Sequence, residues 1–153
     1  MNLTKKEQSL LKDLQNEEKT CAEKYHKAAE AACDPALKQM FARLEKAEQN
    51  HYDTVTGMLA GETPTLKPGQ SQNAKKPQPE PQRSPVSRAE KKSDAYLLAD
   101  VLATEKFVSG VYNTAVFEFS DPAARSALTA IQQQEQQHGK EISDYMTANG
   151  LYC

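Results

Sequence analysis

The sequence repeats itself. Glu18-Lys19 recurs as Glu105-Lys106, Tyr25 as Tyr112, Asp34-Pro35 as Asp121-Pro122, Glu48-Gln49 as Glu135-Gln136, and His51 as His138, each pair 87 positions apart with no gap. Self-similarity at one fixed spacing means a single supersecondary unit used twice. A unit that cannot bury its own apolar face must pack that face against its copy.

The unit reads as a helical hairpin. Thr4-Lys5-Lys6-Glu7 and Ser87-Arg88-Ala89-Glu90 fit the capping box, in which a hydroxyl and a carboxylate satisfy each other's backbone N–H. Asp34-Pro35 and Asp121-Pro122 place an N-capping carboxylate before a residue with no N–H to lose. Gly61 and Gly150 are plausible stops. The expected helices run over roughly 5–32, 36–60, 88–119 and 122–148. Short loops within each pair make each hairpin antiparallel.

Between the hairpins the composition changes. Residues 61–85 hold six of the eight prolines, and Leu66 and Ala74 are the other apolar side chains there. Such a stretch cannot bury enough surface to offset the entropy of ordering it. It is expected to be a mobile, partly extended connection, long enough to run the length of a bundle. The expected fold is therefore all-α: one domain over 1–153, with hairpin 1 at 5–60, a Pro-rich crossover linker at 61–86 and hairpin 2 at 87–148. Two related antiparallel hairpins joined by one long crossover is the ferritin-like four-helix bundle.

Steps of four and three keep residues on one helix face. They select Leu11, Leu14, Glu18, Cys21, Tyr25 and Ala28 in the first helix, and Leu37, Phe41, Leu44, Glu48, His51, Val55 and Met58 in the second. The third gives Leu98, Val101, Glu105, Val108, Tyr112, Ala115 and Phe119, and the fourth Ala124, Leu128, Ile131, Glu135, His138, Ile142 and Tyr145. Each stripe is apolar except near its middle. A lone buried carboxylate is expensive, and four converging at one level repel one another. Two divalent cations supply the matching charge. A glutamate from two helices plus Glu-x-x-His from the other two is the ligand set of the di-iron and di-manganese bundles. Glu18, Glu48, His51, Glu105, Glu135 and His138 reproduce it, and mixed carboxylate and imidazole donors suit iron first and manganese second. The alternative is a duplicated bundle whose site has decayed to hydrogen-bonded core residues.

Tyr25 and Tyr112 lie two turns beyond Glu18 and Glu105 on the same stripes. Each is either a phenol that bonds a ligand carboxylate or joins redox chemistry, or a core tyrosine with a satisfied hydroxyl. His26, whose counterpart is Asn113, reads as a surface histidine. Cys21 reads as a small core residue, and Glu17 as solvated.

Net charge is -2 and the isoelectric point about 5.9, which gives no support for nucleic acid or anionic membranes as partners. No apolar run approaches a membrane span. The N-terminus has no apolar stretch after its lysines, so no signal peptide is expected and the chain reads as intracellular. Cys21, Cys33 and Cys153 form no CxxC pair and read as reduced thiols, with Cys153 exposed and an intermolecular disulfide there of low expectation.

Residues 94–152 resemble the Coat F family of spore coat proteins. Glu105-Lys106, Tyr112-Asn113-Thr114-Ala115, Asp121-Pro122, Glu135-Gln136-Gln137-His138 and the tail Met146 to Tyr152 carry the likeness. The first half shows it more faintly, in Asp34-Pro35, Leu37-Lys38 and Glu48-Gln49-Asn50-His51. The resemblance implies a ferritin-like fold, a place in the spore coat or mother-cell cytoplasm, and other coat proteins or a second copy of the chain as partners. The ligand positions are also similar to rubrerythrin and its relatives, which implies oxidation of ferrous iron with peroxide or oxygen as acceptor. Rubrerythrins carry a rubredoxin domain with two CxxC pairs, and this chain has none. A peroxidase or ferroxidase of this kind would need an outside electron donor. Two functions follow: a redox protein, or a structural coat protein whose metal pair only braces the bundle.

Overall fold

A computed structural model describes residues 1–69 and 80–152. Among them are four helices and no strand: α1 (Lys5–Ala31), α2 (Pro35–Leu59), α3 (Arg88–Glu118) and α4 (Pro122–Ala148). The expected boundaries hold to within a residue. The part of the linker at 70–79 and the reading of Cys153 lie outside the described residues.

The caps explain the starts. Thr4 accepts from the Glu7 N–H at 3.1 Å while Glu7 accepts from the Thr4 N–H at 2.9 Å. Ser87 and Glu90 repeat this reciprocal pair at 3.2 and 3.3 Å. Asp34 accepts from Ala36 N–H, and Asp121 from Ala124 N–H. Gly61 and Gly150 follow the ends of α2 and α4 with φ of 87° and 68°, a conformation costly for any residue with a Cβ.

Side-chain contacts set the packing. Gln15 bonds Thr56, and the Tyr25 and Phe41 rings meet, so α1 and α2 run antiparallel. Lys6 with Glu118 and Lys24 with Asp100 show α1 and α3 antiparallel as well. Gln132 bonding the Ser109 carbonyl and His138 meeting Glu105 set α4 against α3 in the same sense. Arg43 pairs with Glu141 across α2 and α4. The helices form a ring in which α1 lies diagonal to α4, and α2 to α3.

The four stripes fill the interior as their spacing predicts, and every residue on them is buried. The apolar residues separate into two clusters. One contains Tyr25, Phe41, Leu44, Leu98 and Ile142. The other contains Leu11, Leu14, Cys21, Val55, Leu128 and Ile131. Each fully buried Leu or Ile contributes about 1.5–3 kcal/mol of transfer free energy. The layer between the clusters is made of glutamates and histidines.

At one end a buried polar knot ties the helices together. Asp94 accepts from the Cys33 and Asp34 N–H groups at 2.7 and 3.0 Å, and Tyr145 donates to Asp34 at 2.5 Å. Both aspartates are thereby satisfied by donors and need no ion.

Candidate metal centre

The structure brings all six sequence-predicted ligands into that middle layer. Glu18, Glu48, His51, Glu105, Glu135 and His138 are each at most 8% exposed. Each Glu-x-x-His puts its two side chains on one helical face, as i and i+3 spacing requires. The donors fall into two groups that could hold an ion. Glu18, Glu48, His51 and Glu135 form one; Glu48, Glu105, Glu135 and His138 form the other. Glu48 and Glu135 are in both.

The histidines aim Nδ1 inward. His51 Nδ1 lies 2.8 Å from Glu135, 3.1 Å from Glu48 and 3.7 Å from Glu18. His138 Nδ1 lies 2.9 Å from Glu48, 3.4 Å from Glu105 and 3.9 Å from Glu135. The partners correspond under the sequence repeat, but the glutamate on the histidine's own helix is closer to His51, at 3.1 Å, than to His138, at 3.9 Å. The imidazole rings face each other with centroids 5.9 Å apart.

Tyr25 and Tyr112 are tied to the cluster. Tyr25 donates to Glu105 at 2.5 Å, and Tyr112 donates to Glu18 at 2.5 Å. Each phenol therefore serves the neighbouring helix. Two turns separate it from its own helix's glutamate by about 10 Å, too far to bond. The antiparallel neighbour closes that gap.

Charge accounts for the rest. Burial, then the Glu48 carboxylate, pushes Glu18 up to about 8. Burial and the charges of Glu48 and Glu18 hold Glu135 well above its ordinary range. Burial works against ionised Glu48 too, but contacts with Glu18, His138 and His51 hold it well below that range. Burial disfavours both imidazoliums, yet the neighbouring Glu18 and Glu48 carboxylates hold His51 well above its ordinary range, and those of Glu105 and Glu48 raise His138 to about 9. Without cations the cluster thus stores protons to limit its own repulsion.

Protons do not satisfy it. Glu18 Oε2, Glu105 Oε2 and Glu135 Oε2 are buried with no hydrogen-bond partner, while Glu135 Oε1 has the His51 Nδ1 contact at 2.8 Å. Each such orphan costs about 1–3 kcal/mol. Four carboxylates match the charge of two divalent ions, and the orphaned oxygens are acceptors for them. The residues present therefore fit a metal pair.

Sequence reasoning missed Gln134. Its Oε1 lies 2.6 Å from His51 Nε2, the nitrogen facing away from the carboxylates. Its counterpart under the repeat is Ala47, which has no polar group to offer His138. A groove of about 1000 Å³ beside α2 reaches His51 and Gln134. The repeat could have flagged this position, because Gln134 and Ala47 precede matching glutamates yet differ. His26 is a surface residue as read, bonded to Glu30 and Glu45. Cys21 is a buried core residue, and Glu17 is half-buried rather than fully solvated.

Residues 93–152 match the Coat F domain. The Coat F match covers nearly all of α3 and all of α4, with Glu105, Tyr112, Glu135 and His138 inside it, and likens this part of the chain to spore coat proteins. The first hairpin, with Glu18, Glu48 and His51, lies outside it. No curated protein and no solved structure matches the chain. Among the described residues no helix is long and apolar enough to cross a membrane.

Proposed function

We propose that the chain is a single-domain, ferritin-like dimetal carboxylate protein of the spore coat, holding two iron ions and carrying out redox chemistry with peroxide or oxygen. The reading rests on one observation above all: two four-residue donor groups share Glu48 and Glu135, as bridging ligands must. His51 and Glu18 would complete one ion, and His138 and Glu105 the other. The order of helices around the ring supports the ferritin-like connectivity, since consecutive helices α2 and α3 are diagonal rather than adjacent.

Bound iron would supply the electrons that reduce the oxidant. The chain's own residues do the remaining work. The apolar clusters on either side exclude water and strengthen every charge interaction in the layer. Tyr25 and Tyr112 hold Glu105 and Glu18 in fixed orientation by hydrogen bonds that leave one oxygen of each free to bind. Gln134 accepting from His51 Nε2–H leaves the Nδ1 lone pair directed inward.

The test is metal analysis of protein prepared with and without air, followed by peroxide and oxygen consumption. Two metals per chain, a ferric absorption band and consumption lost in Glu48→Ala support the reading. Two metals with no consumption refute the redox part. They would leave the second reading, a structural coat protein whose ions brace the bundle, which the Coat F match favours. That reading expects Glu48→Ala to lower melting temperature and coat incorporation together.

A further inference from the structure

Helix α3 carries a second stripe, opposite its buried one. Tyr96, Phe107 and Phe117 stand three turns apart and are 75%, 62% and 77% exposed. Between them, at steps of three and four, come Ala99, Ala103, Gly110 and Thr114, all exposed. At 100° per residue these seven positions fall within an arc of about 80°, roughly opposite Glu105. The row contains no charge. Among the described residues the only other exposed large hydrophobic is Tyr152, so the outer faces of α1, α2 and α4 carry none.

Single exposed apolar residues are ordinary, but an uncharged row at heptad spacing is the seam of a helix pair. The bordering charges are drawn away from it by partners within the chain. Lys106 leans over the Tyr152 ring at 5.9 Å, Asp100 is paired with Lys24 at 3.0 Å, and Glu118 with Lys6 at 2.7 Å.

The row is also its own complement. Tyr96 and Phe117, Ala99 and Thr114, and Ala103 and Gly110 are each placed symmetrically about the Lys106–Phe107 bond. We infer that α3 is a homodimer interface, two copies of the chain packing this row antiparallel about a two-fold axis at Phe107. In that register Phe107 enters the gap between Ala103 and Gly110 of the second copy, whose lack of bulk admits it. Tyr96 meets Phe117 of the second copy. Lys92, exposed at the end of the row, comes opposite Asp121 of the second copy. At about 200 Å² per ring the three aromatics alone expose roughly 430 Å² per chain. Two copies therefore start near 850 Å², and the small residues and side-chain stems carry the pair past the roughly 1,000 Å² a specific interface needs.

The inference is independent of the metal centre and is tested on the full chain by sedimentation equilibrium. The wild type is expected to be a dimer, and Phe107→Glu a monomer with unchanged helicity and melting, its dissociation constant raised about 100-fold or more. A monomeric wild type, with the row left for another coat protein, overturns the inference. So does a Phe107→Glu chain that remains dimeric. Register is read by disulfide formation with Cys33 and Cys153 replaced by serine. Gly110 accepts a Cβ into open space, so an equal mixture of Ala103→Cys and Gly110→Cys chains is expected to cross-link while Ala103→Cys alone does not. Cross-linking of Ala103→Cys with itself, or none in the mixture, overturns the antiparallel pairing.

Discussion

The His51 side and the His138 side of the centre are built from the same residues at the same spacing, yet they differ in what lies behind the imidazole. His51 is 2% exposed and its Nε2 is held by Gln134 at 2.6 Å. His138 is 8% exposed, and the counterpart of Gln134 under the repeat is Ala47, which has no polar side chain. The two halves supply matching sets of donors, and the residues around them make the two sides unequal. Inner geometry is constrained by charge that must be neutralised in a dry interior.

The largest effect should come from breaking what the two sides share. Glu48→Ala or Glu135→Ala removes a donor from both groups, so elemental analysis should show both ions lost. Glu18→Ala or Glu105→Ala should cost one ion and leave the other. If the bridging and terminal glutamates behave alike, the sharing is wrong.

Gln134→Ala attacks the difference itself. It should weaken the His51-side ion by about 10–100-fold in a chelator competition and leave the His138-side ion unchanged. Ala47→Gln should move the two affinities toward each other. Equal weakening of both ions by Gln134→Ala would mean the two sides act as one.

Acidity gives a third probe, in which the sides act together. Burial and the Glu48 carboxylate push Glu18 up to about 8 in the folded chain from its ordinary 4.5. The folded state's advantage from that group is complete below 4.5 and lost as pH rises through about 8. His138, raised from 6.5 to about 9, behaves the same way and loses its advantage through about 9. Melting of the metal-free chain should therefore fall between about pH 5 and 9, by at least ~5 °C. Saturating divalent metal should flatten or reverse that slope, since the deprotonated ligands then have partners. A metal-free melting temperature that rises over this range would contradict the proton-storing cluster.

The smallest effects should be Tyr25→Phe and Tyr112→Phe. Each strips one donor from a buried carboxylate, at about 1–3 kcal/mol measured by denaturant unfolding. Near-equal losses would show that the asymmetry ends at the histidines.

Much of this was legible in the sequence because local rules and the repeat agree. Capping boxes, Asp-Pro starts and the four-three stripes fix helix ends and inward phase, and the place of Glu18 and Glu105 near the middle of their stripes puts them at the level of the two Glu-x-x-His pairs. What stayed hidden depends on contacts between helices. Spacing placed Tyr25 on the stripe of Glu18, but only the antiparallel register of α1 and α3 shows that it serves Glu105. Asp94 continues the α3 stripe one turn above Leu98, and nothing local says its carboxylate closes over the Cys33 and Asp34 amides. Gln134 lies one residue off the stripe, so its approach to His51 follows from where α2 and α4 meet.

The crossed phenol bonds have a further consequence. Each hairpin finishes the other's carboxylate, and each contributes one glutamate, one Glu-x-x-His and one tyrosine. A polypeptide of half this length would hold half a centre, and two identical ones would assemble a whole one with perfect two-fold symmetry. Gln134 opposite Ala47 is a distinction such a pair could never have made, and joining the halves in one chain is what made it available.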